Sequence, residues 1–331
     1  MQPINRILVA VKDPHARSQR GVEKAIGIAR TLDASIEFFH ALSNPVLLDV
    51  QPLTGTSLSE IKHEALTLAR QQLDRLVERA EKLGVTATRA ADWDFPPHEA
   101  IVRAATRCHA DLIIAECHKG RRLAPWLMHL TDWELLRLSR VPVLILKNTR
   151  PWGRAPVVAA VDPSHAHSKP SGLDSEIVAQ AAGLAAVTRS ALHLVHANYP
   201  SFVGLTLGDP AMDAALLAAS YDEQKAHDRK DFSMFARDAA IASARRHLLD
   251  GDPVVAIPKA ARSLRASVVV MGAVSRSGLK RMFIGNTAER VLNTLPCDVL
   301  VVKPPGFVSR VSAARRGVRA IPAQPLFPMP V

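Results

Sequence analysis

SVVVMGAVSRSGLKRMFIGNTAER, Ser267 to Arg290, is the stretch on which the fold of this chain turns. Its first residues, Ser267–Met271, are a β-branched apolar run of the kind found in a strand covered on both faces. Gly272 follows at the carboxyl end, where the missing Cβ lets a backbone turn sharply or approach another group closely. The loop beyond is basic, with Arg276, Lys280 and Arg281. Asn286 then stands as an N-cap, and Glu289 completes a capping-box pattern. Such a helix start turns free N–H groups and the positive end of its dipole toward an anion. Strand, glycine, basic loop and capped helix predict an open parallel α/β sheet, with ligands at the carboxyl ends of its strands. On structural grounds alone the same residues make a capped helix after a surface loop.

The pattern occurs twice. Pro97–Lys147 and Pro253–Lys303 run in one gap-free frame, in which Ile101 meets Ile257, Thr131 meets Thr287 and Lys147 meets Lys303. The spacing is too long for a solenoid and suits a duplicated domain. Where the second copy holds Gly272, Ser275, Gly285, Asn286 and Thr287, the first holds Glu116, Lys119, His129, Leu130 and Thr131. A carboxylate there repels phosphate. Thr131 and Glu134 still make a capping box, so the first copy keeps its helix start without the anion loop.

Each half alternates strands with helices. In the first, strands fall at Ile7–Val11, Ser35–His40, Val85–Ala91, Asp111–Ala115 and Val141–Leu146. Helices fall at Arg20–Leu32, along the Leu66, Ala69, Leu73, Leu76, Ala80, Leu83 stripe ended by Gly84, and at Ala100–Cys108 and Trp133–Leu138. The second half repeats the order. Its strands are Val157–Val161, Leu192–Ala197, Arg246–Leu249, Ser267–Met271 and Val299–Val302, and its helices Glu176–Val187, Glu223–Ala242, Val255–Leu264 and Glu289–Leu295. Each half is thus expected to be a Rossmann-like α/β domain, a parallel five-stranded sheet with helices on both faces. Expected boundaries are 1–149 and 155–304, with a basic, Pro-rich tail at 305–331 that lacks periodicity and should be disordered. Ala41–Leu58 and Pro200–Tyr221, partly apolar, read as packing over a sheet edge or as a lid over an apolar ligand.

Length and composition agree with two ordinary globular domains: 331 residues, 48% hydrophobic. No apolar run approaches the roughly 20 residues of a membrane span. The opening MQPINRILVAVKDP lacks the length and cleavage site of a secretory signal, so a cytoplasmic location is expected. Cys108, Cys117 and Cys297 show no paired spacing, which argues against a disulfide framework or zinc ribbon. The net charge of +11 is partly the tail's, through Arg310, Arg315, Arg316 and Arg319, and no basic cluster is interleaved with aromatics. A primary nucleic-acid role is therefore not expected.

The second half resembles a universal stress protein domain, whose nucleotide motif is Gly-x2-Gly-x9-Gly-Ser/Thr after the fourth strand. Gly272-x2-Ser275-x9-Gly285-Asn286 has that spacing, with Ser for the second glycine and Asn for the hydroxyl residue. The resemblance spans roughly 5–148 and 155–304 and is nearest the tandem E-type branch. There the stretches similar to Thr131–Arg137 (TDWELLR) and Phe283–Glu289 (FIGNTAE) are characteristic. The resemblance implies that Asp162, Ala197, Met271 and Gly272 meet the adenosine part of a nucleotide. It implies that Ser275, Gly285, Asn286 and Thr287 lie near its phosphates. With the two substitutions, weak binding of ATP or another adenine nucleotide is expected, in the second domain only.

The remaining candidates are thinner. Cys117, His118 and His129, or His165 and His167, read as incidental, and no metal is expected. No Walker-type P-loop is present. Asp162 and Ser164 suggest no triad, since spacing places no histidine beside them. The expectation is a non-catalytic stress-response factor. Its partners would be a small-molecule ligand and a second copy paired through the last strands, Val141–Leu146 and Val299–Val302, unless the duplication satisfies that contact within one chain. Alternatives are a slow nucleotide hydrolase or transferase, and a binder of an apolar small molecule.

Overall fold

The computed structural model describes residues 3–16, 18–42, 58–116, 125–164, 172–199, 210–272 and 286–315. The chain divides into two compact units. The N-terminal one spans Pro3–Val141 and takes in the segment from Ser309, and the C-terminal one spans Pro142–Val308.

The N-terminal unit runs β1 (Arg6–Ala10), α1 (Arg20–Leu32), β2 (Ser35–Leu42), α2 (Leu58–Lys82), β3 (Ala87–Trp93), α3 (Pro97–Arg107), β4 (Leu112–Glu116) and α4 (Pro125–Leu138). Its strands lie in the order β3-β2-β1-β4, all parallel, with Val9 between Phe38 and Ile114. Ile7, Leu8 and Val9 are all buried, which requires cover on both faces and explains the unbroken apolar run. α1 supplies cover through Val22, Ala25, Ile26 and Ala29, and α2 through Ala69, Leu73, Leu76 and Ala80. Burying one such leucine is worth about 1.5–3 kcal/mol. The chain leaves α2 through Gly84, whose φ of 79° lies in the left-handed region that glycine enters without strain. Arg103 of α3 is itself buried. Its Nε donates to Asp94 at 2.8 Å and its Nη1 to Glu99 at 3.1 Å. From the basic tail, the Ser312 carbonyl accepts from Arg103 at 3.3 Å and Arg315 pairs with Asp92 at 2.9 Å.

The C-terminal unit contains β5 (Val143–Leu146), β6 (Val157–Ala160), α5 (Leu173–Thr188), β7 (Leu192–Asn198), α6 (Pro210–Asp238), β8 (Arg246–Asp250), α7 (Pro253–Ser263), β9 (Val268–Gly272), α8 (Asn286–Thr294) and β10 (Asp298–Val302). The order is β5-β10-β9-β6-β7-β8. β6 to β10 form the expected parallel five-stranded set. β5, read from sequence as the last strand of the first half, runs antiparallel to β10, with Leu144 opposite Leu300 and Val143 opposite Val301. The sheet is therefore mixed. An open β10 would leave backbone groups unpaired beside apolar side chains, and β5 supplies both the hydrogen bonds and the cover. The Lys147 ammonium, just past β5, donates to the carbonyls of Leu292 at 2.6 Å and Leu295 at 2.7 Å, where α8 ends.

Two helices begin earlier than their apolar stripes suggest, α4 at Pro125 and α6 at Pro210. Proline suits a first helical turn, where its missing N–H removes no bond. Residues 43–57 and 200–209 of the two lid-like segments lie outside the described residues.

Candidate functional site

In the C-terminal unit, β6 connects to β7 on one side while β9 lies on the other, so the strand order reverses between β6 and β9. Open parallel sheets form a crevice at such a reversal, beyond the carboxyl ends of the strands. Ala160 is level with Val195 on one side and Met271 on the other, so Asp162, Ala197, Met271 and Gly272 reach the same edge. The Asp162 N–H donates to Asp174 at 3.1 Å, tying the end of β6 to the first turn of α5. Its carboxylate is 49% exposed and lies 3.8 Å from His196 Nδ1. Met271 is buried, while Ala197 and Gly272 are partly open.

Gly272 has a packing reason of its own. A Cβ built there would lie 2.7 Å from Leu173 Cδ2 and 3.0 Å from Cδ1 and Cγ. The glycine lets the start of α5 close onto β9. α8 begins at Asn286, three residues before the Glu289 start read from the sequence. Ser275 and Gly285, and the side chains of Asn286 and Thr287, lie outside the described residues.

Spacing missed one contact. His196 of β7 is buried, with Nδ1 3.0 Å from the Val161 carbonyl and Nε2 3.3 Å from Ser164 Oγ. Its ring stacks on Phe232 with centroids 5.7 Å apart. With Nδ1–H donating to Val161, Nε2 is left as the acceptor for the serine hydroxyl. Parallel pairing of β6 with β7 brings the two residues together, and no linear pattern records it. The repeat, FFHA against LVHA, marks the histidine but not its serine partner. In the N-terminal unit His40 Nδ1 likewise lies 2.8 Å from the Val11 carbonyl. Burial pushes the His40 imidazole below its usual range, against the pull of that carbonyl and of Asp13.

The N-terminal unit has its own crevice at the β1/β4 reversal, about 130 Å³, lined among others by Lys12, His40, Glu116 and Asp132. Glu116 replaces the glycine of the second copy. A Cβ on Gly21 would lie 2.7 Å from the Glu116 carboxyl carbon and oxygen, so this carboxylate sits against the first turn of α1. Negative charge at a helix start is favourable, and here the protein's own side chain supplies it. Each copy keeps a glycine on one side of this strand-to-helix contact, Gly21 in the first and Gly272 in the second.

Among the described residues no group of His, Cys, Asp and Glu is arranged to hold a metal ion. Cys108 and Cys297 are buried, and burial pushes the Cys108 thiol up. Cys117, His118, His165, His167 and the His129 side chain lie outside the described residues. No helix among the described residues is long and apolar enough to cross a membrane.

With this geometry in hand, the likeness to known proteins is extensive. The family model described as "Universal stress protein family" matches residues 3–147 and 156–303. Universal stress protein E of Photorhabdus laumondii is 26% identical over 93% of this chain and 98% of its own length. Universal stress protein E of Escherichia coli (strain K12) is 27% identical over 92% and 96%. A solved structure of a functionally unknown protein from Pseudomonas aeruginosa PAO1 aligns with a TM-score of 0.65 at 26% identity, covering 92% of this chain and 94% of that one. Two Usp domains in one chain, together with the likeness to universal stress protein E over nearly the whole length, make this chain a tandem, E-type member of the universal stress protein family.

Proposed function

We propose that the chain is a non-catalytic, cytoplasmic stress-response factor that holds an adenine nucleotide weakly in its C-terminal unit. The observation that carries this is the β6/β9 reversal, where Asp162, Ala197, Met271 and Gly272 share one strand edge and α8 starts at Asn286. Asp162 presents a half-exposed carboxylate suited to ribose hydroxyls, and the start of α8 offers N–H groups to a phosphate. Ser275, Gly285, Asn286 and Thr287 complete the proposed phosphate side. Nucleotide acts here as a bound ligand rather than a substrate. Calorimetric titration of the full chain with ATP and ADP should give a weak, saturable isotherm that Asp162→Ala abolishes. Absence of heat at millimolar nucleotide defeats the proposal.

A second reading, a slow nucleotide hydrolase or transferase, draws on the Ser164–His196 contact, which poises a hydroxyl against an imidazole acceptor. Phosphate release that persists unchanged in Ser164→Ala and His196→Gln removes it.

A further inference from the structure

The opposite edge of the C-terminal unit, at the amino ends of β6, β9 and β10, holds a cavity of about 380 Å³. That is the size of a small-molecule site. Its lining includes Arg150, Arg262 and Arg265, and no Asp or Glu. Among the described residues none of these three guanidinium groups has an ion-pair partner. Three unneutralised cations around one concavity repel each other, and an anion between them relieves that repulsion.

The walls are fixed by bonds beneath the surface. Trp152, nearly buried, donates its indole N–H to Asp298 at 2.7 Å, and the other Asp298 oxygen accepts the Lys147 N–H at 3.0 Å. Asp298 is fully buried, so its charge faces these donors rather than the cavity. The Ser267 hydroxyl lies 3.1 Å from the carbonyls of Ala155 and Pro156, holding β9 to the start of β6. Arg262 and Arg265 belong to this copy alone. In the gap-free frame Arg262, Arg265 and Ser267 answer to Thr106, His109 and Asp111. Asp111 there accepts the N–H groups of Asn5 and Arg6, so the first copy has a carboxylate where the second has a hydroxyl flanked by arginines. A cation near the end of α7 accounts for Arg262 by itself. It does not account for Arg150, which arrives from the segment between β5 and β6.

We propose that this cavity binds a small phosphorylated anion, held between the guanidinium groups of Arg150, Arg262 and Arg265 with its apolar part against Trp152 and Pro296. The planar forks of arginine match phosphate oxygens in pairs, and Trp152 and Pro296 offer the apolar surface. The site lies at the far end of the strands from the proposed nucleotide crevice, so the two can be tested separately.

The probe is inorganic tripolyphosphate, titrated calorimetrically into the full chain at low ionic strength. Saturable one-to-one binding is expected, at least tenfold weaker in the triple variant Arg150→Gln, Arg262→Gln, Arg265→Gln and unchanged in Asp162→Ala. Because all three arginines are exposed, the triple variant should keep its thermal midpoint. A matched control, Arg189→Gln, Arg229→Gln, Arg237→Gln, removes the same charge from exposed positions elsewhere in the unit. Binding that is absent, that survives the first triple variant, or that falls equally in the control overturns the proposal. As an independent reading, tripolyphosphate should change the tryptophan emission of the native chain and leave that of Trp152→Phe unmoved; a response that persists in Trp152→Phe counts against it.

Discussion

Replacing Gly272 with alanine tests whether that glycine serves packing as well as ligand access. The new Cβ would stand 2.7 Å from Leu173 Cδ2 and 3.0 Å from two further Leu173 carbons. Apolar carbons sit comfortably at about 3.5–4.0 Å, so one side must yield by roughly 1 Å. Leu173 is 2% exposed, and Gly272 is held level with Val302 in the β9/β10 ladder, so neither moves freely. Overpacking of this kind costs about 1–3 kcal/mol. Against it, alanine restricts the unfolded chain and returns about 0.4–1 kcal/mol. At mid-range the net loss is about 1.3 kcal/mol, which for a unit of this size lowers the thermal midpoint by about 3–5 °C. Scanning calorimetry of the full chain measures it. The double-mutant cycle sharpens the test. Leu173→Ala alone should cost about 2–5 kcal/mol through its cavity, and the methyl introduced by Gly272→Ala then partly fills that space. The double variant should therefore lose at least about 1 kcal/mol less than the sum of the singles. A Gly272→Ala midpoint equal to wild type, or strict additivity in the cycle, refutes the packing argument.

Further expectations follow from other parts of the molecule. Burial holds His40, His193 and His247 below the usual imidazole range, and His193 and His247 also face each other at 2.8 Å. The unfolded chain takes up these protons near pH 6.5 and the folded chain only at lower pH. Stability should therefore be full above about 6.5 and fall as pH drops toward the folded values; urea midpoints that are flat between pH 8 and pH 5.5 contradict this, and His247→Gln should shallow the slope. Arg103→Met takes the guanidinium away from the buried carboxylates of Asp94 and Glu99 and should cost about 3–5 kcal/mol by denaturant titration. Among the described residues, removing 309–331 takes away the Ser312 carbonyl bond and the pair of Arg315 with the largely buried Asp92, so a loss near 1 kcal/mol is expected, and one as large as that of Arg103→Met would show that the tail does more. Lys147→Met strips the carbonyls at the end of α8 of their ammonium, and hydrogen exchange in that last turn should quicken while α5 stays unchanged.

Much of the architecture could be read residue by residue. Unbroken runs such as Ile7–Val11 and Val268–Met271 mark strands covered on both faces, and the gap-free repeat marks a duplicated domain. The family followed from the Gly272-to-Asn286 spacing together with TDWELLR and FIGNTAE. Helix starts were less legible. α6 reaches back to Pro210, well before Glu223, because its Ala-rich first turns carry no contrast between faces. The Ser164–His196 contact and the arginine cavity were not legible either, since each joins residues from separate strand ends or connections.

By itself, then, the sequence determined the class of each half, the asymmetry between Glu116 and Gly272, and the family. These rest on local composition and spacing, which act along the chain. Only the tertiary structure decided that β5 pairs antiparallel with β10, that Gly272 is needed against Leu173, and that His196 faces Ser164. Each of these depends on which strand ends and helix starts become neighbours, and burial together with backbone pairing settles that only once the sheet has closed.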